Sequence, residues 1–177
     1  MIPQNFTNKS QESIARAAQI AFENGQMQID PPHLFFAILE DDDSIVNSVL
    51  QKLDINLIAI KADIRALIEK LPKQELNSSS QAGQIMLGPA MVGLFSASQN
   101  QAKQMGDEYI SLEHIFLALL SGKNPIADIL HKHKIDSDTV LKTLAKIRGS
   151  QKIDSPTPEA KFNALEKYSQ NLTELAR

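Results

Sequence analysis

Ile29-Asp30-Pro31-Pro32-His33-Leu34-Phe35-Phe36-Ala37-Ile38-Leu39 returns 81 positions later as Ile110-Ser111-Leu112-Glu113-His114-Ile115-Phe116-Leu117-Ala118-Leu119-Leu120. Isoleucine, histidine, phenylalanine, alanine and leucine stand at matching places, and from Leu34 and Ile115 onward the positions between them stay apolar. Asp30-Pro31 reads as an N-cap followed by proline at the first helical position, where a missing N–H costs nothing. The helix that follows is too densely apolar for a surface element. A chain that uses such a helix twice must bury both copies.

Working outward, the offset of 81 also pairs Ala21 with Ala102 and Gly25 with Gly106. One residue is then lost: at an offset of 80, Leu50 meets Leu130, Lys52 meets Lys132 and Ile55 meets Ile135. Conservative pairs continue the register, Val46 with Ile126, Val49 with Ile129, Ile64 with Leu144 and Leu67 with Ile147. So many apolar matches in register mark an internal duplication. Each copy reads as four helices. Thr7 is an N-cap; Ile14, Ala17, Ala18, Ala21 and Phe22 recur at helical spacing; Gly25 is an αL stop. The second helix follows Asp30, a third covers about Ser44 to Lys52, and a fourth runs from Asn56 to Leu71 before Pro72. Gly88-Pro89, Gly106, Ser111 and Asn124-Pro125 punctuate the second copy in the same way.

No alternating strand pattern bounded by hairpin turns occurs. The expected fold is all-α: a tandem pseudo-symmetric repeat of two four-helix units forming one globular domain, residues 1–148. Repeat 1 spans about 6–72, a polar connector 73–86, and repeat 2 about 87–148. One four-helix copy alone would be marginal in size, which predicts a core shared between the copies. Residues 149–158 read as a flexible linker, and 159–177 as a further helix with Phe162, Leu165, Tyr168, Leu172 and Leu175 on a stripe.

Composition narrows the function. Charged residues are 22% and the formal net charge is -3, an ordinary soluble balance without the basic excess that polyanion binding needs. With no cysteine, disulfides, thiolate metal sites and thiol nucleophiles are excluded together. No apolar run approaches the roughly 20 residues of a membrane span, and no signal peptide is visible, so a cytoplasmic, monomeric module is expected. His131 and His133, two apart on a helix, do not share a face and suggest no metal site. His33 and His114, at equivalent places early in their helices, suggest a structural role such as hydrogen bonding across the repeat. Glu40-Asp41-Asp42-Asp43 reads as a solvated loop. The seven glycines, at 25, 83, 88, 93, 106, 122 and 149, form no G-x-x-x-x-G-K-[ST] phosphate loop, so this chain is not expected to bind ATP or to be an enzyme.

The duplication, with Phe6-Thr7-Asn8-Lys9-Ser10-Gln11 at its start, Ile29 to Leu34, and Gly106-Asp107-Glu108-Tyr109-Ile110-Ser111-Leu112-Glu113-His114, resembles the Clp N-terminal domain family over residues 6–148. Ala164-Leu165-Glu166-Lys167-Tyr168-Ser169-Gln170-Asn171-Leu172-Thr173-Glu174-Leu175-Ala176 is similar to the start of the first ATPase module in ClpB-type disaggregases, chaperones of the Hsp100 class. The resemblance implies a hexameric parent ring that uses ATP and magnesium in modules outside this chain. That ring threads unfolded or aggregated client proteins and works with the Hsp70 system. It implies a substrate-binding role for Thr7, Asp107 and Glu113, with an apolar groove whose positions correspond to Ala97, Gln101 and His114. Those three are smaller or more polar than the family pattern, so either the groove is shallower in this chain or neighbours such as Phe95, Met105 and Tyr109 supply apolar surface. An alternative within the resemblance is an adaptor-docking or phosphoarginine-reading module of ClpA- or ClpC-type unfoldases. Such a reader needs a glutamate in each repeat; Glu113 provides one, but Pro32 stands at the equivalent place.

Overall fold

A computed structural model describes residues 3–74, 85–149 and 151–158. Within them eight helices follow one another as α1 (Asn8–Glu23), α2 (Pro31–Glu40), α3 (Ile45–Lys52), α4 (Leu57–Lys70), α5 (Pro89–Gln104), α6 (Leu112–Ser121), α7 (Pro125–Lys132) and α8 (Ser137–Arg148). The repeat is carried down to single caps. Thr7, Ser44, Asn56, Asn124 and Asp136 each accept a first-turn N–H through a side-chain oxygen, satisfying an amide that the helix cannot. Asp54 and Lys134, an equivalent pair, both take positive φ (57° and 63°) in the turn before the fourth helix of their copy.

α2 and α6 lie at the centre. Leu34, Phe35, Ile38, Leu39, Leu112, Ile115, Phe116 and Leu120 are buried there. The equivalent rings Phe35 and Phe116 meet face to face, with centroids 5.9 Å apart and planes inclined by 6°. The two copies therefore share one core.

Two parallel contacts bind the copies across this core. Strand β1 (Gln28–Ile29) pairs with β2 (Met86–Leu87), Ile29 opposite Leu87. Phe6, the equivalent of Leu87, bridges to Ile110, the equivalent of Ile29. Each copy thus hands the segment before its first helix to the other copy's loop before the central helix. Phe6 then meets Phe95 of α5 edge-on at 5.0 Å. The sequence reading found no strands because pairs two residues long leave no alternation to detect.

The fourth helix is a residue shorter at each end than expected: Asn56 is its cap, and Leu71 is already extended. A larger correction concerns the segment expected as a flexible linker. Residues 151–158 lie against the domain: Ile153 is fully buried, Glu108 and Tyr109 donate their N–H groups to its carbonyl, and Asn8 N–H donates to the Pro156 carbonyl. A lone isoleucine in a polar stretch gives no periodic signal, yet it has a hydrophobic place to go. Most of the connector (75–84) and the helix expected over 159–177 lie outside the described residues.

Candidate functional site

The loop between α5 and α6 turns at Gly106, whose φ of +72° suits a residue without Cβ, and delivers Asp107 to the interior. The Asp107 side chain is wholly buried. Its Oδ2 accepts from His114 Nε2 at 2.7 Å; its Oδ1 accepts from Arg148 Nη2 at 2.8 Å and from the Ile153 amide at 2.9 Å. Ser111 N–H donates to His114 Nδ1 at 2.9 Å, so the ring proton sits on Nε2 and points at Asp107. Burial by itself pushes the Asp107 carboxyl up; the donors from His114, Arg148 and Ile153 outweigh it and hold the group well below the usual carboxylate range.

Glu113 is buried in the first turn of α6. Ser111 Oγ donates to its Oε1 at 2.6 Å, and Arg148 Nη1 lies 3.7 Å from the same oxygen. Its Oε2 has no hydrogen-bond partner among the described residues, and neither has Arg148 Nη1. Two carboxylates thus surround one guanidinium in a site closed to water. Asp107 and Glu113, candidates for pairing with a client's basic groups, already have an internal basic partner.

Repeat 1 builds the same corner around a neutral amide. Gln26 stands for Asp107 and His33 for His114. Asp30 N–H donates to His33 Nδ1 at 2.9 Å, and His33 Nε2 contacts Gln26 Oε1. Gln26 Nε2 donates to the Ile68 carbonyl at 2.6 Å. Position 68 offers a backbone acceptor, whereas its equivalent, Arg148, reaches in with a side-chain donor. The partner must change from an amide to a carboxylate accordingly. The structural role expected for the two histidines is what the hydrogen bonds show, although each bonds within its own copy. Burial pushes the His33 ring down, against a smaller upward pull from Asp30.

Thr7 is fully buried; its backbone N–H donates to the Ile110 carbonyl, and Ser10 Oγ donates to that same carbonyl. Thr7, Asp107, Glu113 and His114 therefore gather around the ends of α1 and α6, inside the domain. Phe95, a candidate for accessible apolar surface, is instead core, because its ring is buried edge-on against Phe6. Ala97, Gln101 and Tyr109 are half-buried and reach the surface. Sequence reasoning missed Arg148 and Ile153. The sole available signal was a basic residue at a position where the first repeat has Ile68.

This all-α duplicated chain belongs to the Clp N-terminal family: the family model for the Clp repeat (R) N-terminal domain matches residues 5–133. Similar curated proteins are chaperone protein ClpB of Bacillus anthracis, 33% identical over 94% of this chain, and of Clostridium perfringens, 34% identical over 97%. The chain spans about a fifth of the length of these relatives (19% and 20%). Among solved structures, the Hsp104 N-terminal domain from Candida albicans superposes with a TM-score of 0.74, 22% identity, and coverage of 88% of this chain and 99% of that one. A ClpV N-domain solved in complex with a VipB peptide gives a TM-score of 0.60 at 16% identity, covering 80% of this chain and 85% of that one. At such identities the superpositions speak for the fold.

Proposed function

We propose that this domain is the client-recognition module of a ClpB-type, ATP-dependent protein disaggregase, engaging unfolded or aggregated polypeptides for delivery to a ring. ATP and magnesium would serve the ATPase modules outside this chain, and the Hsp70 system would be a partner of the whole machine in the cytoplasm. The observation that carries this reading is the asymmetry of the two corners. Repeat 2 has a buried ionic corner of Asp107, Glu113 and Arg148, tied through Ile153 to half-buried Tyr109; repeat 1 has neutral Gln26 and Pro32 at the equivalents of Asp107 and Glu113. A symmetric reader of phosphoarginine would need a carboxylate in both copies to make a charge-assisted bond to each guanidinium. The asymmetry therefore favours one-sided capture of clients over a symmetric two-site phosphoarginine reader.

On this reading Tyr109, Gln101 and Ala97 touch the client, while Thr7, Asp107, Glu113 and His114 hold the surface in shape from below, with Phe95 packed behind it. No helix among the described residues is long and apolar enough to cross a membrane. The test is an NMR titration of the labelled chain with a permanently unfolded model protein. Saturable shifts at Ala97, Gln101 and Tyr109 are expected; none at high client excess would remove client capture by this domain.

A further inference from the structure

We propose that the cavity beside the loop of repeat 1, bordered by Met27, Gln28, Leu71, Pro72, Gln74 and Met86, is a docking site for an extended client segment. The segment would insert an aliphatic side chain and be held by its carbonyl, as repeat 2 holds the carbonyl of its own Ile153.

The argument rests on where the two copies part. Residues 71–74 correspond to 151–154, and at the first of these the copies still agree. Gln26 Nε2 lies 3.5 Å from the Leu71 carbonyl, as Arg148 Nη2 lies 3.1 Å from the Gln151 carbonyl. Two residues on they diverge. In repeat 2, Ile153 is fully buried, gives its N–H to Asp107 and receives the N–H groups of Glu108 and Tyr109 on its carbonyl. In repeat 1 the equivalent residue is Lys73, which is exposed, and the chain turns aside so that Gln74 N–H donates to the Gly25 carbonyl at 2.9 Å. Met27 and Gln28, the equivalents of Glu108 and Tyr109, then donate their N–H groups to no acceptor among the described residues. The pairing with β2 uses the Met27 carbonyl instead.

The place that Ile153 fills in one copy is thus an open cavity of about 380 Å³ in the other. Met86, 70% exposed, forms one wall, a degree of exposure that leaves its apolar surface unspent. Two amide donors on a partly apolar border suit the carbonyl of an extended backbone that carries one aliphatic residue, whereas the Gln26 oxygen is already taken by His33 and offers the segment no counterpart of Asp107. Asp30 is the charged side chain on the border of the cavity and no basic group among the described residues lines it, which separates this site from the ionic corner. The proposal rests on the client-recognition reading for the origin of the peptide.

The probe is a blocked peptide with the sequence of residues 151–156, Gln-Lys-Ile-Asp-Ser-Pro, titrated into the labelled full chain. Saturable shifts of the Met27 and Gln28 amides are expected, at least tenfold weaker with the same peptide carrying lysine for isoleucine, and lost in Met86→Asp. Shifts confined to Glu108 and Tyr109 would mean that the peptide merely displaces the chain's own strap, and would overturn the proposal. So would Met27 and Gln28 amides already protected from exchange in the free chain, which would assign the cavity to the connector after Gln74. An unfolded client that shifts Gln101 and Tyr109 equally in wild type and Met86→Asp, with no response at Met27, sinks this site and leaves the client reading standing. Peptide binding here without any client effect at Tyr109 does the reverse.

Discussion

Arg148 Nη2 stands 2.8 Å from Asp107 Oδ1, with both side chains almost wholly removed from solvent. The contact joins the last turn of α8 to the loop before α6, and the Ile153 amide shares the same carboxylate oxygen. One ion pair therefore closes the second repeat and fastens the strap beyond it. This makes Asp107 a support for the surface around Tyr109.

Breaking this pair from one side should be severe. Asp107→Ala leaves a buried guanidinium with the more distant Glu113 as its remaining carboxylate and the Gln151 carbonyl as its remaining acceptor, and a loss of about 3–5 kcal/mol in urea unfolding is expected. Arg148→Met should cost less than the Asp107 change, since the carboxylate keeps His114 and the Ile153 amide. In a double-mutant cycle the two losses should fall short of additive. Additive losses would show that the two residues do not act together.

Acid should weaken the domain through the same residue. The folded-state value of Asp107 is depressed, so its contribution is fully present above the unfolded value of about 3.9 and is lost as pH falls below it toward the folded value. Unfolding free energy should decline below about pH 4 in wild type. Asp107→Asn should start less stable and lose less over that range; an identical slope in both would contradict the assignment.

The strap can be released without unfolding the helices. In Ile153→Ser, hydrogen exchange at the Glu108 and Tyr109 amides should rise toward that of exposed loops, while α2 and α6 amides keep their protection. Fast exchange at those two amides in wild type would show that the strap is not held.

The stacked pair at the centre carries the shared core. Phe116→Ala should cost about 3–5 kcal/mol, and Phe35→Ala the same, because each removes a fully buried ring and leaves a void between the copies. Unfolding should stay a single transition in both variants. Two transitions would mean that the copies fold separately.

Contact and support can be told apart on the proposed client surface. Tyr109→Ala should weaken client binding several-fold and change stability by less than about 1 kcal/mol, as expected for a half-buried side chain. Thr7→Ala removes a cap and should cost about 1–2 kcal/mol. Client affinity unchanged in Tyr109→Ala would rule out that residue as a contact.

The sequence by itself determined the duplication, the eight helices and most of their caps. These are local: a periodic apolar stripe, a capping side chain and a stop residue each act within a turn or two of the chain. His33 and His114 were legible for the same reason, since each bonds the backbone three residues before it. Tertiary structure alone decided that Phe6 and Leu87 would exchange between the copies, because parallel pairs two residues long leave no pattern. It alone decided that Asp107 and Glu113, which could equally have been solvated capping acids, would close on Arg148, a residue 41 positions from Asp107. Burial of a charge is settled by the partner that folding brings, and nothing near Asp107 in the chain names that partner. The same holds for Ile153: a single isoleucine is silent in sequence until a pocket and two donated amides give it a place.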